Sequence, residues 1–215
     1  MQELSVSNLT EDIILVEAKQ KSLSQAFLRV EEFYESPEFR GKVFTVKQFK
    51  AWYKKKKGQF SYYKDWTGFN VPGEIWIKFF DGRFHPLDPI EQSLHLKVKE
   101  KIKNRTKFYV IGVSDVEYDA TLLHEMVHAL FYLSPNYKRA VNRVLNRHRI
   151  SRLKKYLIKA GYSEGSLTDE MNAYLVADND YLLKKGIGNT QASVTLKGLF
   201  NKYAKKFNLP LVSVR

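Results

Sequence analysis

The sequence Thr121-Leu-Leu-His-Glu-Met-Val-His-Ala-Leu-Phe-Tyr132 carries two histidines four residues apart, with a glutamate directly after the first. On an α-helix, four residues advance about 400° and about 6 Å, so His124 and His128 share one face. Two imidazoles placed in this way can bind a single metal ion. Glu125 points about 100° away from His124, where its carboxylate can reach a water on the metal without binding the metal itself.

The residues around this pattern are apolar on almost every side, which is typical of a buried helix. Buried histidines and a buried glutamate cost free energy unless something compensates them, and a divalent cation would do so. The alternative is a chance match, in which two core histidines bond to the backbone. The pattern and its context together favour metal binding. The apolar residues are Leu122, Leu123, Met126, Val127, Ala129, Leu130 and Phe131.

Length and composition predict one domain with a proper core, since 215 residues are 44% hydrophobic. No stretch approaches the 18 or more uninterrupted apolar residues of a membrane span, and the N-terminus lacks the features of a signal peptide. We therefore expect a cytoplasmic protein with no membrane contact. Cysteine is absent, so a metal must be bound by histidine and carboxylate side chains.

The net charge of +13 comes mostly from lysine, as in the run from Lys54 to Lys57. Such a balance suggests nucleic acid or another acidic partner. The alternative is a lysine-rich surface that keeps the protein soluble, or the charged surface of a thermophile. Aromatic residues between Phe60 and Phe69 could stack on single-stranded nucleic acid, although such residues more often pack a core.

The order of predicted elements indicates an α+β fold. Residues 1–115 alternate strands and helices and should form a mixed α/β part with a short sheet. Residues 116–215 should form a helical part that carries the metal site, including one long helix or a broken pair over Asn136–Ala160. The predicted strands are Asp12–Val16, Gly73–Phe80 and Lys107–Val113.

A third ligand is needed, because catalytic zinc usually has three protein ligands and one open position. A helix predicted to begin at Thr168 places Glu170 in its first turn, among small and apolar neighbours. Tyr174 and Asp178 follow one and two turns later on roughly the same side, where Asp178 could orient a ligating histidine. Glu170 is the best candidate, unless it only favours the helix N-terminus electrostatically. The other carboxylates that could take its place are Asp169 and Glu164.

The pair His124-Glu125-x-x-His128 with a downstream helical Glu170 resembles the zinc metallopeptidases of the gluzincin group. The compact form resembles the minigluzincins, small peptidases of archaea and bacteria, and implies a small zincin-like fold. The resemblance implies a strand beside the site that receives the substrate peptide, a role that residues 108–113 match by position. Typical gluzincins have an aspartate four residues after the ligand glutamate, where this chain has Tyr174.

Minigluzincins are also known as self-inhibited precursors. The apolar tail Leu209–Val214 could mimic a substrate strand and hold such an enzyme latent. Packing of the tail on the final helix is the alternative.

The predicted activity is that of a zinc metalloendopeptidase, a hydrolase that cleaves a peptide or protein substrate. Zn²⁺ on His124, His128 and Glu170 would activate a water, and Glu125 would act as general base and then protonate the leaving amine. One alternative is a nucleic-acid-associated basic protein. It includes proteases of the Spartan type, which act on DNA-linked proteins but use a third histidine. Another is a zinc protein without peptidase activity, against which the presence of Glu125 speaks.

Overall fold

The computed structural model describes residues 4–103 and 105–212 and shows a small α+β fold, which confirms the predicted fold class. The chain divides after Tyr118 into two compact units, residues 1–118 and 119–215. That these units belong to one domain stays a prediction. Within the described ranges, no helix combines the length and the apolar character needed to cross a membrane.

The first unit contains a four-stranded sheet with the strand order β1-β2-β4-β3. The central pair, β2 and β4, is parallel, and the two outer pairs are antiparallel. The central strands are apolar and buried over residues 13–16 and 109–113, as expected for strands that are covered on both faces. The strands are β1 (Ser5–Asn8), β2 (Ile13–Ala18), β3 (Gly68–Pro72) and β4 (Tyr109–Ser114).

The position of β4 in this order corrects one expectation. The strand itself is confirmed, but its predicted role in receiving a substrate peptide is wrong. Its backbone already pairs with β2 on one side and with β3 on the other. A peptide that extends a sheet needs an unpaired edge. Among the described residues, the outer strands of this sheet are β1 and β3.

Five helices accompany the sheet in the first unit, and local capping explains two of their starts. The Thr45 hydroxyl accepts a hydrogen bond from the Gln48 backbone N–H at 3.2 Å, and the Gln48 side chain accepts one from the Thr45 N–H at 2.8 Å. Asp88 and Glu91 form the same reciprocal arrangement. The helices are α1 (Gln20–Glu35), α2 (Val46–Lys57), α3 (Tyr62–Asp65), α4 (Gly73–Phe79) and α5 (Pro89–Ile102).

The prediction of a strand over Gly73–Phe80 is wrong, because α4 occupies this segment. Trp76 and Phe79 are three residues apart and both are buried, so the helical spacing directs the two largest side chains into the core. The Gly73 N–H donates to the Phe108 carbonyl at 2.9 Å. A Cβ at Gly73 would lie 2.8 Å from that oxygen, so this close backbone contact requires glycine.

Most aromatic residues of the 60–69 segment pack into the core of the first unit. Tyr62 and Phe69 are buried, and the Phe69 ring stacks on Phe27 with ring centroids 5.2 Å apart. Trp66 is 44% exposed. These contacts support the core interpretation of the segment rather than a platform for nucleic-acid bases.

The second unit is helical, as expected, and α9 packs against α7, α8 and α11. The segment Asn136–Ala160 is a broken pair of helices, one of the two alternatives that the pattern allowed. The predicted cap at Thr168 is wrong, because α9 begins at Leu167 and places Thr168 inside its first turn. The helices are α6 (Tyr118–Leu133, which begins in the first unit), α7 (Pro135–Arg147), α8 (Ser151–Ala160), α9 (Leu167–Ala177), α10 (Asn179–Lys184) and α11 (Thr190–Ala204).

A buried hydrogen bond ties α7 to α9. The Tyr137 hydroxyl donates to the Asn172 side-chain oxygen at 3.1 Å, and both residues are fully buried. A buried amide and phenol of this kind hold their geometry firmly, since losing the partner would leave a polar group unsatisfied. The bond lies two residues from Glu170 along α9 and helps to fix the rotation of that helix.

The described part of the apolar tail lies on the final helix. The Asn201 amide accepts a hydrogen bond from the Val212 N–H at 2.8 Å and donates to the Val212 carbonyl at 2.7 Å. Leu209 is buried. This is the arrangement expected from packing on α11 rather than from a substrate mimic. Residues 213–214 of the predicted tail lie outside the described residues.

Candidate metal centre

The two histidines of the opening sequence lie on α6, as their spacing predicts. Their ring centroids are 4.9 Å apart. His128 is buried and His124 is half-buried. The apolar residues around them explain why most of this helix is buried.

Glu170 meets both histidines from the first turn of α9. Its Oε2 lies 4.0 Å from His124 Nε2, and its Oε1 lies 3.8 Å from His128 Nε2. One ligand atom from each of the three side chains lies within 4.8 Å of the others. The group formed by His124, His128 and Glu170 could therefore hold a metal ion. The sequence predicted these three residues, and the structure brings them together.

The spacing of the three side chains fits an ion between them better than it fits direct contact. Both separations from Glu170 are too long for a hydrogen bond, which needs about 2.7–3.2 Å. Ligand atoms about 2.0–2.2 Å from one tetrahedral ion are about 3.3–3.6 Å apart. The two separations from Glu170 are therefore longer than this by only about half an ångström. Glu170 is 4% exposed, and its Oε2 has no hydrogen-bond partner among the described residues. A buried, unsatisfied carboxylate oxygen is costly, and a cation would remove that cost.

The opposite nitrogen of each imidazole faces an aspartate. His124 Nδ1 lies 2.8 Å from Asp178 Oδ2, and His128 Nδ1 lies 3.0 Å from Asp169 Oδ1. An imidazole that donates its Nδ1–H to a carboxylate keeps the lone pair of Nε2 for a metal. Asp178 thus contacts a histidine as predicted, although it comes one turn later than the aspartate of typical gluzincins.

The two alternative ligands have different positions. Asp169 forms an ion-pair contact with the nitrogen of His128 that points away from Glu170, and it is not a member of the three-residue group. The sequence did not predict this contact, because spacing along the chain does not specify how α9 is rotated. Glu164 is exposed in the loop before α9 and is not in the group.

Glu125 is buried beside the three residues and is not one of them. Burial has the largest influence on the pKa of His124, of His128 and of Glu170, and the negative charge of Glu125 adds a smaller raising contribution at each. A carboxylate in this position can accept a proton from a molecule held at the centre. The role of general base for Glu125 stays a prediction.

Tyr174 adds a neutral hydroxyl to the site. Its ring meets the His124 ring edge-on, with centroids 5.1 Å apart, and burial raises the pKa of its phenol to about 12. Its hydroxyl lies 3.4 Å from that of Tyr162. Tyr162 is a residue that sequence reasoning did not select, because its loop position carries no periodic signal.

The electrostatics of the centre predict how the metal-free protein depends on pH. Burial lowers the pKa of both imidazoles, but the nearby carboxylates have the larger effect, so both pKa values are raised. The carboxylate of Asp178 acts on His124, and those of Asp169 and Glu170 act on His128. A histidine with a raised pKa stabilises the fold fully below its unfolded pKa of about 6.5, and that contribution is lost as pH rises through the folded pKa. Burial raises the pKa of Glu170, which acts in the same direction.

We therefore expect the melting temperature in the presence of a chelator to fall as pH rises above about 6.5, the unfolded pKa of histidine. A bound metal reverses the trend at this site, because it competes with the same protons. The increase in melting temperature on adding zinc should therefore grow with pH. Glu32, whose pKa is raised to about 7 by burial, contributes equally with and without metal, so the difference between the two melting curves isolates the centre. A metal-induced increase that is constant across this range would contradict the assignment of the two histidines.

Comparison of the chain with protein-family models, with curated proteins and with solved structures gave no match in any of the three.

Proposed function

We propose that the chain is a zinc-dependent metalloendopeptidase. One observation carries the proposal: His124 and His128 direct one nitrogen each towards Glu170 and the other nitrogen towards an aspartate. This is the donor set of catalytic zinc sites that use two histidines and one glutamate. The aspartates supply the outer carboxylates that commonly orient such histidines. Zinc is favoured over magnesium or calcium, which prefer oxygen ligands.

A catalytic site is favoured over a structural one by the number of ligands. Structural zinc sites are closed by four protein ligands, whereas catalytic sites keep one position open. Among the described residues, the group that could hold the ion has three members. Glu125 lies close by without belonging to it, which is where a general base is needed.

The residues of the site have distinct tasks in peptide hydrolysis. A zinc ion bound there would lower the pKa of a water and polarise the carbonyl of the scissile bond. Glu125 accepts the proton of the attacking water and then donates it to the leaving amine. Asp169 and Asp178 hold the two imidazoles in the orientation that keeps both Nε2 atoms directed at Glu170. Tyr174, neutral at physiological pH, offers a hydroxyl beside His124.

The direct test measures metal content and proteolysis on the same sample. After mild purification, elemental analysis should find about one zinc per chain, as a three-ligand site implies. The protein should cleave a generic unfolded protein, lose that activity with a chelator and regain it with added zinc. Absence of zinc, with no change in fluorescence or melting temperature on adding it, would show that the metal assignment is wrong. Stoichiometric zinc without cleavage would leave a zinc protein that lacks peptidase activity.

A further inference from the structure

Helix α7 presents a face made of arginine and asparagine. Its inner side carries Tyr137, Val141 and Leu145, which are buried. The opposite arc spans about 140° of the helix, at 100° per residue. Apart from Pro135 at the start of the helix, it contains six residues of only these two kinds, all exposed except the half-buried Asn142. They are Asn136, Arg139, Asn142, Arg143, Asn146 and Arg147.

The arginines of this face lie in a stretch of the chain that contains no acidic residue. No acidic residue occurs between Glu125 and Glu164, a stretch that contains nine lysines and arginines. Among the described residues, Arg139, Arg143 and Arg147 form no ion pair; Arg139 donates instead to the side chain of Asn136. The acids of the second unit are concentrated at the metal centre, which takes four of its seven. The charged residues on the outer face of α7 are therefore all positive.

The positive residues of this face are arginines, although lysine is the more common basic residue in this chain. The chain has 26 lysines and 10 arginines, yet five of the ten arginines fall between residues 139 and 152. Arginine differs from lysine in its planar fork, which binds phosphate and base edges through paired hydrogen bonds. Like charges four residues apart also destabilise a helix by about 0.2–0.5 kcal/mol per pair. A surface kept only for solubility would gain nothing from this arrangement.

From this face we propose that the second unit binds double-stranded DNA, with α7 lying in the major groove. Arginine and asparagine are the side chains that pair with guanine and adenine edges there, and a groove about 12 Å wide admits a helix. The major groove of duplex RNA is too narrow for one. A membrane-surface helix needs apolar side chains beside its basic face, and those of α7 are buried against other helices. This inference goes beyond the proposed peptidase activity and does not depend on it.

The test is DNA binding by the full chain across a range of salt concentrations. We expect the parent protein to bind a 20-base-pair DNA duplex at low salt, with affinity falling steeply as salt rises. The triple variant Arg139→Gln, Arg143→Gln, Arg147→Gln should bind this duplex at least about tenfold more weakly. Its plot of log affinity against log salt concentration should be less steep by about 2–3, because three phosphate contacts are lost. Glutamine forms helices as well as arginine does, so the fold and the zinc content should be unchanged.

A matched control removes the same charge from the first unit. The variant Lys54→Gln, Lys55→Gln, Lys57→Gln changes three exposed residues of α2 and should keep most of the DNA affinity. An equal loss in both variants would show that only overall charge matters and would overturn the proposal. So would an absence of DNA binding at low salt, or tighter binding to duplex RNA or to phosphatidylserine vesicles than to DNA.

Discussion

The variant Glu125→Gln is expected to keep its zinc, its fold and its melting temperature while losing about 10²–10⁴-fold in the rate of peptide cleavage. Glutamine preserves the size of the side chain and its hydrogen-bonding capacity, but it cannot accept a proton. Glu125 is buried beside the metal group and is not a member of it, so the exchange should leave the three ligands in place. The measurement is steady-state cleavage of an unfolded protein together with zinc content.

Glu164→Gln is the matched control, because it makes the same chemical change on an exposed loop of the same unit. It should cleave at the rate of the parent. If Glu125→Gln also cleaves at that rate, Glu125 is not the base. If Glu125→Gln loses zinc, Glu125 belongs to the metal shell and the proposed proton transfers must be replaced. Inhibitor binding by the inactive variant would separate a loss of chemistry from a loss of binding.

The second large effect is expected at Glu170. Glu170→Ala removes one of three ligands and its negative charge, so zinc affinity should fall much further than in any variant of a neighbouring carboxylate. Asp169→Asn and Asp178→Asn remove only the partners of the imidazoles, for which a loss of about 10–100-fold is typical. Glu164→Ala should have no effect. The affinities are measured by titration against a competing chelator.

The order of these losses is the informative result. Glu170→Ala should stay folded without metal, because it replaces a buried carboxylate whose pKa is already raised by burial. Its melting temperature in chelator checks this point. Equal zinc retention by the Glu170, Asp169 and Glu164 variants would remove Glu170 from the centre. A larger loss for Asp169 than for Glu170 would exchange their roles.

The metal group could be predicted because each of its members obeys a local rule. The i, i+4 spacing places His124 and His128 together on any helix, and Glu170 lies in the first turn of a helix with apolar neighbours. The pairing of Asp169 with His128 was not predicted, because it depends on how α9 is rotated against α6. Spacing along the chain does not contain that rotation, which partly follows from the buried contact between Tyr137 and Asn172.

The same distinction holds for the fold. β2 and β4 were predictable from their apolar runs, whereas the position of β4 between two partners depends on long-range pairing. Gly73–Phe79 alternates like a strand, but contact with the backbone of Phe108 and the burial of Trp76 and Phe79 decide for a helix. Short apolar segments are where tertiary contacts most easily override a local pattern.

The hydrogen bond between Tyr137 and Asn172 has a thermodynamic consequence if both proposals hold. It connects the helix that faces DNA to the helix that carries Glu170. If binding at one of these helices changes affinity at the other, thermodynamic linkage requires the effect to be reciprocal. A DNA duplex that changes the zinc affinity by a given factor has its own affinity changed by zinc by the same factor. Zinc binding and DNA binding would then be two readouts of one coupling free energy.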